Sequence, residues 1–107
     1  MVTITFFEHS EGFFSGFLVR GHAGAKEYGK DVVCAAISSA VLMVINTLTE
    51  VANVVPLKLS AKSGNVCFKI DRKDFFRCRD FLLGFKFHIL EIAKKYPKFV
   101  CVNFIKE

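Results

Sequence analysis

The chain has 107 residues, a length that fits one domain over residues 1–107 and excludes architectures built from two lobes. Apolar residues make up 52% of it and thirteen residues are Phe, which excludes a disordered chain. Fifteen Lys and Arg against ten Asp and Glu give a net charge of +5, which favours anionic partners such as RNA or ribosomes. The most apolar run, residues 32–45, is shorter than the roughly 20 residues of a membrane span, so we expect a soluble protein and no membrane partner.

Two further features predict a cytoplasmic protein. The first residues alternate as in a strand and lack the basic and apolar segments of a secretory signal peptide. The four cysteines form no CxxC pair, and free cysteines suit a reducing compartment.

The first third of the chain is typical of a hairpin and a loop. Residues 2–7 and 13–20 are aromatic and β-branched, with a polar turn between them, which predicts two paired strands. Residues 21–30 contain three glycines and no apolar periodicity, which predicts a loop that leaves the second strand.

A buried helix follows this loop. Asp31 is a good N-cap residue, and we expect the helix to end near Val51 or Ala52. Its predicted core-facing residues recur at helical spacing: Val33, Ile37, Ala40, Val41, Val44 and Leu48.

The second half repeats the hairpin and helix and adds a strand. Residues 57–60 and 66–70 predict a second hairpin, Asp74 begins a second helix that Pro97 ends, and residues 99–105 form the last strand. The order ββαββαβ predicts an α+β fold. We expect a two-layer sandwich with a largely antiparallel sheet and both helices on one face.

Cys34 and His22 are the candidate catalytic residues. With Asp31 as the N-cap, Cys34 is the third helical residue, where unpaired N–H groups and the helix dipole favour a thiolate. The glycines let the loop fold back so that the His22 imidazole reaches the sulfur as general base. The same N–H groups would stabilise a tetrahedral oxyanion. The alternatives are an inert packing role for Cys34 and a surface role for His22.

Asp31 and Ser38 each have two interpretations. Asp31 either caps the helix or orients His22, and the two roles are compatible. Ser38 lies one turn after Cys34, so it either lines the site or packs against a strand.

Other patterns point to weaker alternatives. Residues 21–24 match the GxxG of KH modules, but that loop joins two helices and this one follows a strand. Lys94, Lys95 and Lys98 are explained by the end of the second helix. No His or Cys pair has the spacing of zinc ligands, so we expect no metal and no cofactor.

The segment that contains Cys34 resembles the signature of the ribosomal-processing cysteine proteases, the Prp family. The matching residues are Gly21-His22-Ala23 and Tyr28-Gly29-x-Asp31-Val32-Val33-Cys34-Ala35-Ala36-x-Ser38. This stretch spans 18 residues, and every motif position in it is filled. The chain length and the predicted order of elements are also similar to that family.

The resemblance implies a cytoplasmic cysteine endopeptidase in which Cys34 is the nucleophile and His22 the base. Its substrate would be the N-terminal extension of a large-subunit ribosomal protein, the twenty-seventh, removed during ribosome biogenesis. The resemblance also implies a homodimer and a glycine-rich loop that orders over the substrate. The predicted substrate-binding residues are Gly21, Ala23, Gly24, Gly29 and Ser38. The alternative is a non-catalytic domain that binds RNA or the ribosome through its positive charge.

Overall fold

A computed structural model describes residues 1–10, 12–21, 30–62 and 64–107, and the side chains of helix α1 from residue 32 onward. The chain order of elements is ββαββαβ, as predicted. The elements are β1 (Val2–Ser10), β2 (Phe13–Arg20), α1 (Lys30–Asn46), β3 (Lys58–Lys62), β4 (Asn65–Lys69), α2 (Phe75–Lys95) and β5 (Val100–Lys106).

The strands form one five-stranded sheet in the order β3-β4-β2-β1-β5. Both predicted hairpins are present, and the β2–β4 pair is antiparallel as well. Strand β5 instead runs parallel to β1, with Val2 opposite Val100 and Glu8 opposite Lys106. The parallel edge arises because α2 carries the chain back along the sheet before β5 begins.

The hydrophobic core lies between one face of the sheet and the two helices. The predicted core-facing residues of α1 are buried there, except that Ala40 is half-buried. Burial alternates along the central strands because successive side chains point to opposite faces. The buried strand residues are Val2, Ile4, Phe6, Phe14, Phe17, Val19, Phe68 and Val100. The two-layer α+β sandwich is therefore confirmed.

Helix α1 differs from its prediction at its start. It begins at Lys30, so Asp31 is the second helical residue and not the N-cap. At its other end a π-helical turn, Thr47–Val51, continues the helix to the predicted end. In this region the Thr47 and Thr49 hydroxyls donate hydrogen bonds to the carbonyl oxygens of Met43 and Ile45, which occupies their polar groups inside the helix.

The π-turn also lengthens the apolar helical run compared with the one considered from the sequence. Together with α1 it makes an apolar helical run, Val32–Val51, of 20 residues, which within the described chain is long and apolar enough to cross a membrane by length and composition. The expectation that this run is too short was therefore wrong. The core helix of a soluble protein passes the same test, and one face of this helix is in the core.

Helix α2 begins after a 3-10 turn, Arg72–Asp74. Asp74 occupies the predicted N-cap position, but its buried carboxylate accepts a hydrogen bond from the Arg77 side chain, 3.0 Å away, instead of one from the backbone. The helix ends at Lys95, before Pro97. Its core residues are Cys78, Leu82, Phe85 and Ile89, at the predicted helical spacing.

Candidate active site

Cys34 lies near the amino end of α1, where it is partly exposed at the margin of the core. The early helix start makes it the fifth helical residue instead of the third. Because side chains on a helix tilt toward its N-terminus, the thiol still projects over the first turn. The N–H groups of that turn have no partner within the helix, so they are available to a negative charge that develops on sulfur or on a bound carbonyl oxygen.

The Cys34 side chain lines a cavity of about 410 Å³ where α1 meets the ends of three strands. Val2 begins β1, Val19 lies near the end of β2, and Val66 lies near the start of β4. None of the described residues that line the cavity is charged. The surroundings of the thiol therefore suit an apolar ligand with a polar backbone.

A second cavity, of about 280 Å³, continues the first along α1. Ile37 and Ser38 line both cavities, while Leu42 and Ile45 line the second. Ser38, Leu42 and Ile45 recur every three or four positions, so they lie on one face of the helix. We call the two cavities together the α1 groove; it leads from Cys34 over β4 and β3.

Gly21 joins β2 to the cavity. Its N–H donates a hydrogen bond to the Gly64 carbonyl oxygen at 3.0 Å, which ties the end of β2 to the β3–β4 turn. Its φ of 96° is in the left-handed region, and a Cβ there would overlap the Met1 carbonyl oxygen. Only glycine fits this position without strain.

The described structure thus brings together three of the predicted site residues. Cys34, Gly21 and Ser38 all line the same cavity. Four other predicted residues, His22, Ala23, Gly24 and Gly29, lie outside the described residues, as does the Asp31 side chain. The His22–Cys34 pair and the contact of Asp31 with His22 therefore stay predictions.

The other three cysteines have different surroundings. Cys78 is fully buried in α2, and burial, with a smaller effect of the Asp74 carboxylate, raises the pKa of its thiol to about 11. Cys67 and Cys101 lie on β4 and β5 and do not line the cavity. Across the described chain, no three His, Cys, Asp or Glu side chains group as a metal site.

Sequence reasoning missed part of the groove. Gly64 and Asn65 lie between the two strands of the predicted second hairpin, but they also line the Cys34 cavity. Leu42 and Ala61, which line the second cavity, have no signal of their own in the sequence. Their role depends on how α1 crosses β3 and β4, which local patterns do not specify.

Comparison with known proteins gives one matching family and solved structures with a similar fold. The family model described as cysteine protease Prp matches residues 1–101. No curated protein matches the chain.

Two solved structures are similar over nearly the whole chain. An essential ribosomal processing protease Prp from S. aureus, in complex with a substrate peptide, is 20% identical, with a TM-score of 0.88 over 98% of this chain and 100% of that one. The protein SMU.848 from Streptococcus mutans is 27% identical, with a TM-score of 0.82 over 100% of this chain and 96% of that one.

A further structure of the S. aureus protease holds a covalently linked product peptide. It has a TM-score of 0.84 at 20% identity, and the match covers 98% of this chain and 100% of that one.

Proposed function

Because the chain belongs to the cysteine protease Prp family, and is thus a cysteine peptidase, we propose that it is a ribosomal-processing endopeptidase. Its substrate is the N-terminal extension of a large-subunit ribosomal protein, the twenty-seventh. The observation that carries the proposal is the partly exposed thiol of Cys34 at one end of the apolar α1 groove. The S. aureus protease with a covalently linked product peptide supports it.

The proposed mechanism is thiol acyl transfer. The His22 imidazole takes the Cys34 proton, and the sulfur attacks the scissile carbonyl carbon to form a C–S bond. N–H groups of the first turn of α1 hold the oxyanion. Protonated His22 then gives its proton to the leaving amine as the C–N bond breaks, and water hydrolyses the thioester to release the acid and regenerate the thiol.

Asp31 and the glycines assist these steps in the proposal. Asp31 accepts a hydrogen bond from the His22 ring and keeps it oriented toward sulfur. Residues 22–29 close over the bound peptide, starting from Gly21 at the cavity wall, with Ala23, Gly24 and Gly29 contacting its backbone. A Gly24→Pro variant should therefore lose cleavage while it keeps the far-ultraviolet circular dichroism of the parent.

The α1 groove supports an apolar peptide as the substrate. Its described lining is uncharged and mostly aliphatic, and the Ser38 hydroxyl can hydrogen-bond to a peptide backbone. A charged side chain next to the scissile bond would lose its hydration there and find no ionic partner among the described lining residues. An extension with apolar residues before the cut fits this surface.

The proposal also includes a homodimer that works in the cytoplasm on ribosomal precursors. A groove of about 640 Å³ between α1 and α2 supports it, since Met43, Phe81 and the open Gly84 line it. Met43 is 68% exposed there, so its apolar side chain can pack against a second copy. Sedimentation should show a dimer that Met43→Glu converts to a monomer, while Asn46→Glu, at an exposed position that does not line this groove, leaves the dimer intact.

The deciding experiment is cleavage of the proposed substrate. The purified protein is incubated with its host's twenty-seventh large-subunit protein bearing the native extension, beside Cys34→Ala and His22→Ala, under reducing conditions. Intact mass should show one discrete truncation with the parent and none with either variant. An intact extension with folded parent protein would overturn the proposed substrate, whereas cleavage by Cys34→Ala would overturn the proposed nucleophile.

A further inference from the structure

The face of the sheet opposite the helices carries most of its charge on three neighbouring strands. Arg20 on β2 and Lys69 on β4 alternate with the core-facing residues of their strands, so they point away from the core. Lys58 and Lys62 on β3 pair with Lys69 and Asn65 of β4, so they lie on the same face. We call these four residues and the strand surface between them the cationic sheet face. Arg20, Lys58 and Lys62 are exposed.

Strand pairing keeps these cations close together. Lys58 lies directly opposite Lys69, and Lys62 and Arg20 both pair with Asn65, one on each side of β4. Given the spacing between strands and along them, the four residues frame an area of about 10 by 13 Å. Like charges placed directly opposite each other destabilise a sheet, so the Lys58–Lys69 pair gives this face positive charge at a cost in stability.

The compensating negative charge on this face is small. Among the described strand residues that point the same way, none is acidic, and a described carboxylate that contacts the face is that of Glu107. Glu107 forms an ion pair with Lys69 at 3.0 Å, and this hydrogen bond holds the pKa of its carboxyl below the usual value. Arg20, Lys58 and Lys62 have no acidic partner among the described ion pairs.

We propose that the cationic sheet face binds the phosphate backbone of single-stranded RNA. This inference goes beyond the proposed protease function and does not depend on it. A flat sheet face accepts an extended strand, as sheet-based RNA modules do. Thr3 lies beside Arg20 and Ser60 lies between the two lysines of β3, so hydroxyls alternate with the cations and can hydrogen-bond to phosphate or ribose oxygens.

Other occupants of this face fit less well. A second copy of the chain would bring the same lysines and arginine against each other, which opposes association. An acidic peptide would satisfy the charges but is not needed to explain the hydroxyl groups. RNA bound here would lie beside the Cys34 cavity, because Arg20 precedes Gly21 and Asn65 belongs to both surfaces. A substrate that itself binds RNA would then be presented next to the thiol.

The test is the affinity for a fluorescein-labelled oligouridylate of about ten nucleotides, measured by anisotropy at several salt concentrations. Three phosphate contacts predict that the logarithm of the association constant falls with the logarithm of the salt concentration, with a slope of about −2. Replacing Arg20, Lys58 and Lys62 together with Gln should weaken binding at low salt at least about tenfold and bring the slope close to zero.

The matched control removes the same charge elsewhere. Lys94, Lys95 and Lys98 are equally exposed around the end of α2, so their triple Gln variant has the same net charge. It should keep the parent affinity within about threefold and the parent slope. Equal losses in both variants, or no binding by the parent, would overturn the proposal. Displacement of the RNA by polyglutamate of equal length and concentration would overturn the proposal and indicate that this face binds an acidic protein.

Peptide cleavage measured without RNA separates this proposal from the protease function. The face variant leaves every described residue of the α1 groove in place, so its cleavage rate should equal that of the parent. Loss of RNA binding with unchanged cleavage supports the cationic sheet face. Loss of both activities together with lost circular dichroism identifies a folding defect. Single Gln variants at Lys58 and at Lys62 then test the RNA site, since each should bring the salt slope about 0.7 closer to zero.

Discussion

Cys34 and Cys78 carry the same thiol in opposite surroundings. Cys34 is partly exposed in a cavity, whereas Cys78 is 0% exposed and its pKa is raised to about 11. Only the thiolate reacts with iodoacetamide, so near pH 8 about one Cys78 side chain in a thousand is reactive even before access is counted. We expect Cys34 to be labelled at least about tenfold faster than Cys78 in the folded protein, as peptide mass spectrometry would show.

Unfolding supplies the control for this labelling. In urea both cysteines should react at similar rates, because the burial that raises the Cys78 pKa is gone. The folded state holds the Cys78 proton to higher pH than the unfolded state does. The protonated Cys78 thiol therefore contributes to the free energy of unfolding below about pH 9, and this contribution is lost as the pH rises toward 11. Equal labelling of both thiols in the native protein would contradict the burial of Cys78.

Gly16 and Gly84 make a matched pair for backbone effects. Gly16 is in central strand β2 at a φ of 154°, and a Cβ there would overlap the Phe68 carbonyl oxygen of the neighbouring strand. We expect Gly16→Ala to lower the free energy of unfolding by about 3 kcal/mol or more in urea titration. Gly84 is inside α2 with open space around it, so Gly84→Ala should raise the same quantity by about 0.5–1 kcal/mol. A stable Gly16→Ala protein would show that β2 and β4 can separate.

Single residues of the site were predictable where local patterns specify them. Cys34 and Ser38 follow from helical periodicity and the family signature, and the structure places both on one cavity. The helix start was less predictable, because Asp31 has the preference of a cap yet lies inside the helix. Asn65 is far from Cys34 in sequence and Leu42 has no signal of its own, so their place in the groove required the fold.

At the level of elements, one face of α1 forms the wall of the proposed peptide site. Ser38 lines the α1 groove, whereas Ser39, the next residue, faces the groove between α1 and α2. Ser38→Phe should fill the α1 groove and lower kcat/KM at least about tenfold, which corresponds to about 1.4 kcal/mol of transition-state binding. Ser39→Phe adds the same volume on the other side of the helix, and its kcat/KM should stay within about threefold of the parent.

Progress curves with the extended ribosomal protein measure both variants. We expect both variants to be folded, because both serines are exposed and a larger side chain displaces no core residue, and circular dichroism checks this. Equal rates for the Ser38 variant and the parent would show that the peptide does not lie in the α1 groove.

The elements themselves were largely predictable from periodicity and from Gly, Pro and Asp positions. The bounds of β2 agree with the prediction, and β3, β4 and β5 each begin one residue to either side of it. The parallel pairing of β5 with β1 was not foreseen, since it depends on which edge the chain reaches after α2. The shifts in the pairing register of β1 with β2 near Glu8 also depend on the partner strand, which the sequence of β1 does not show.

For the whole molecule, the question is whether the apolar run Val32–Val51 packs in the core or enters a membrane. If it left the core, the part of the sheet beside it would lose its cover, including Val2, Val19 and Val66, which line the cavities between α1 and the sheet. Exposing three such side chains costs about 1.5 kcal/mol each, and a total of about 4–5 kcal/mol is a large part of the stability of a small domain.

We therefore expect the purified protein to stay in the aqueous phase during detergent phase separation. Asn46→Lys supplies a matched test at an exposed position of the same helix. It should leave both this partition and the unfolding midpoint nearly unchanged, because a lysine there replaces a side chain that contacts mainly solvent. Val41→Lys, on the buried face, should instead unfold the protein, since its charge would enter the core without a partner. Partition of the parent into detergent, with Val41→Lys still folded, would show that α1 is held by lipid instead of by the sheet.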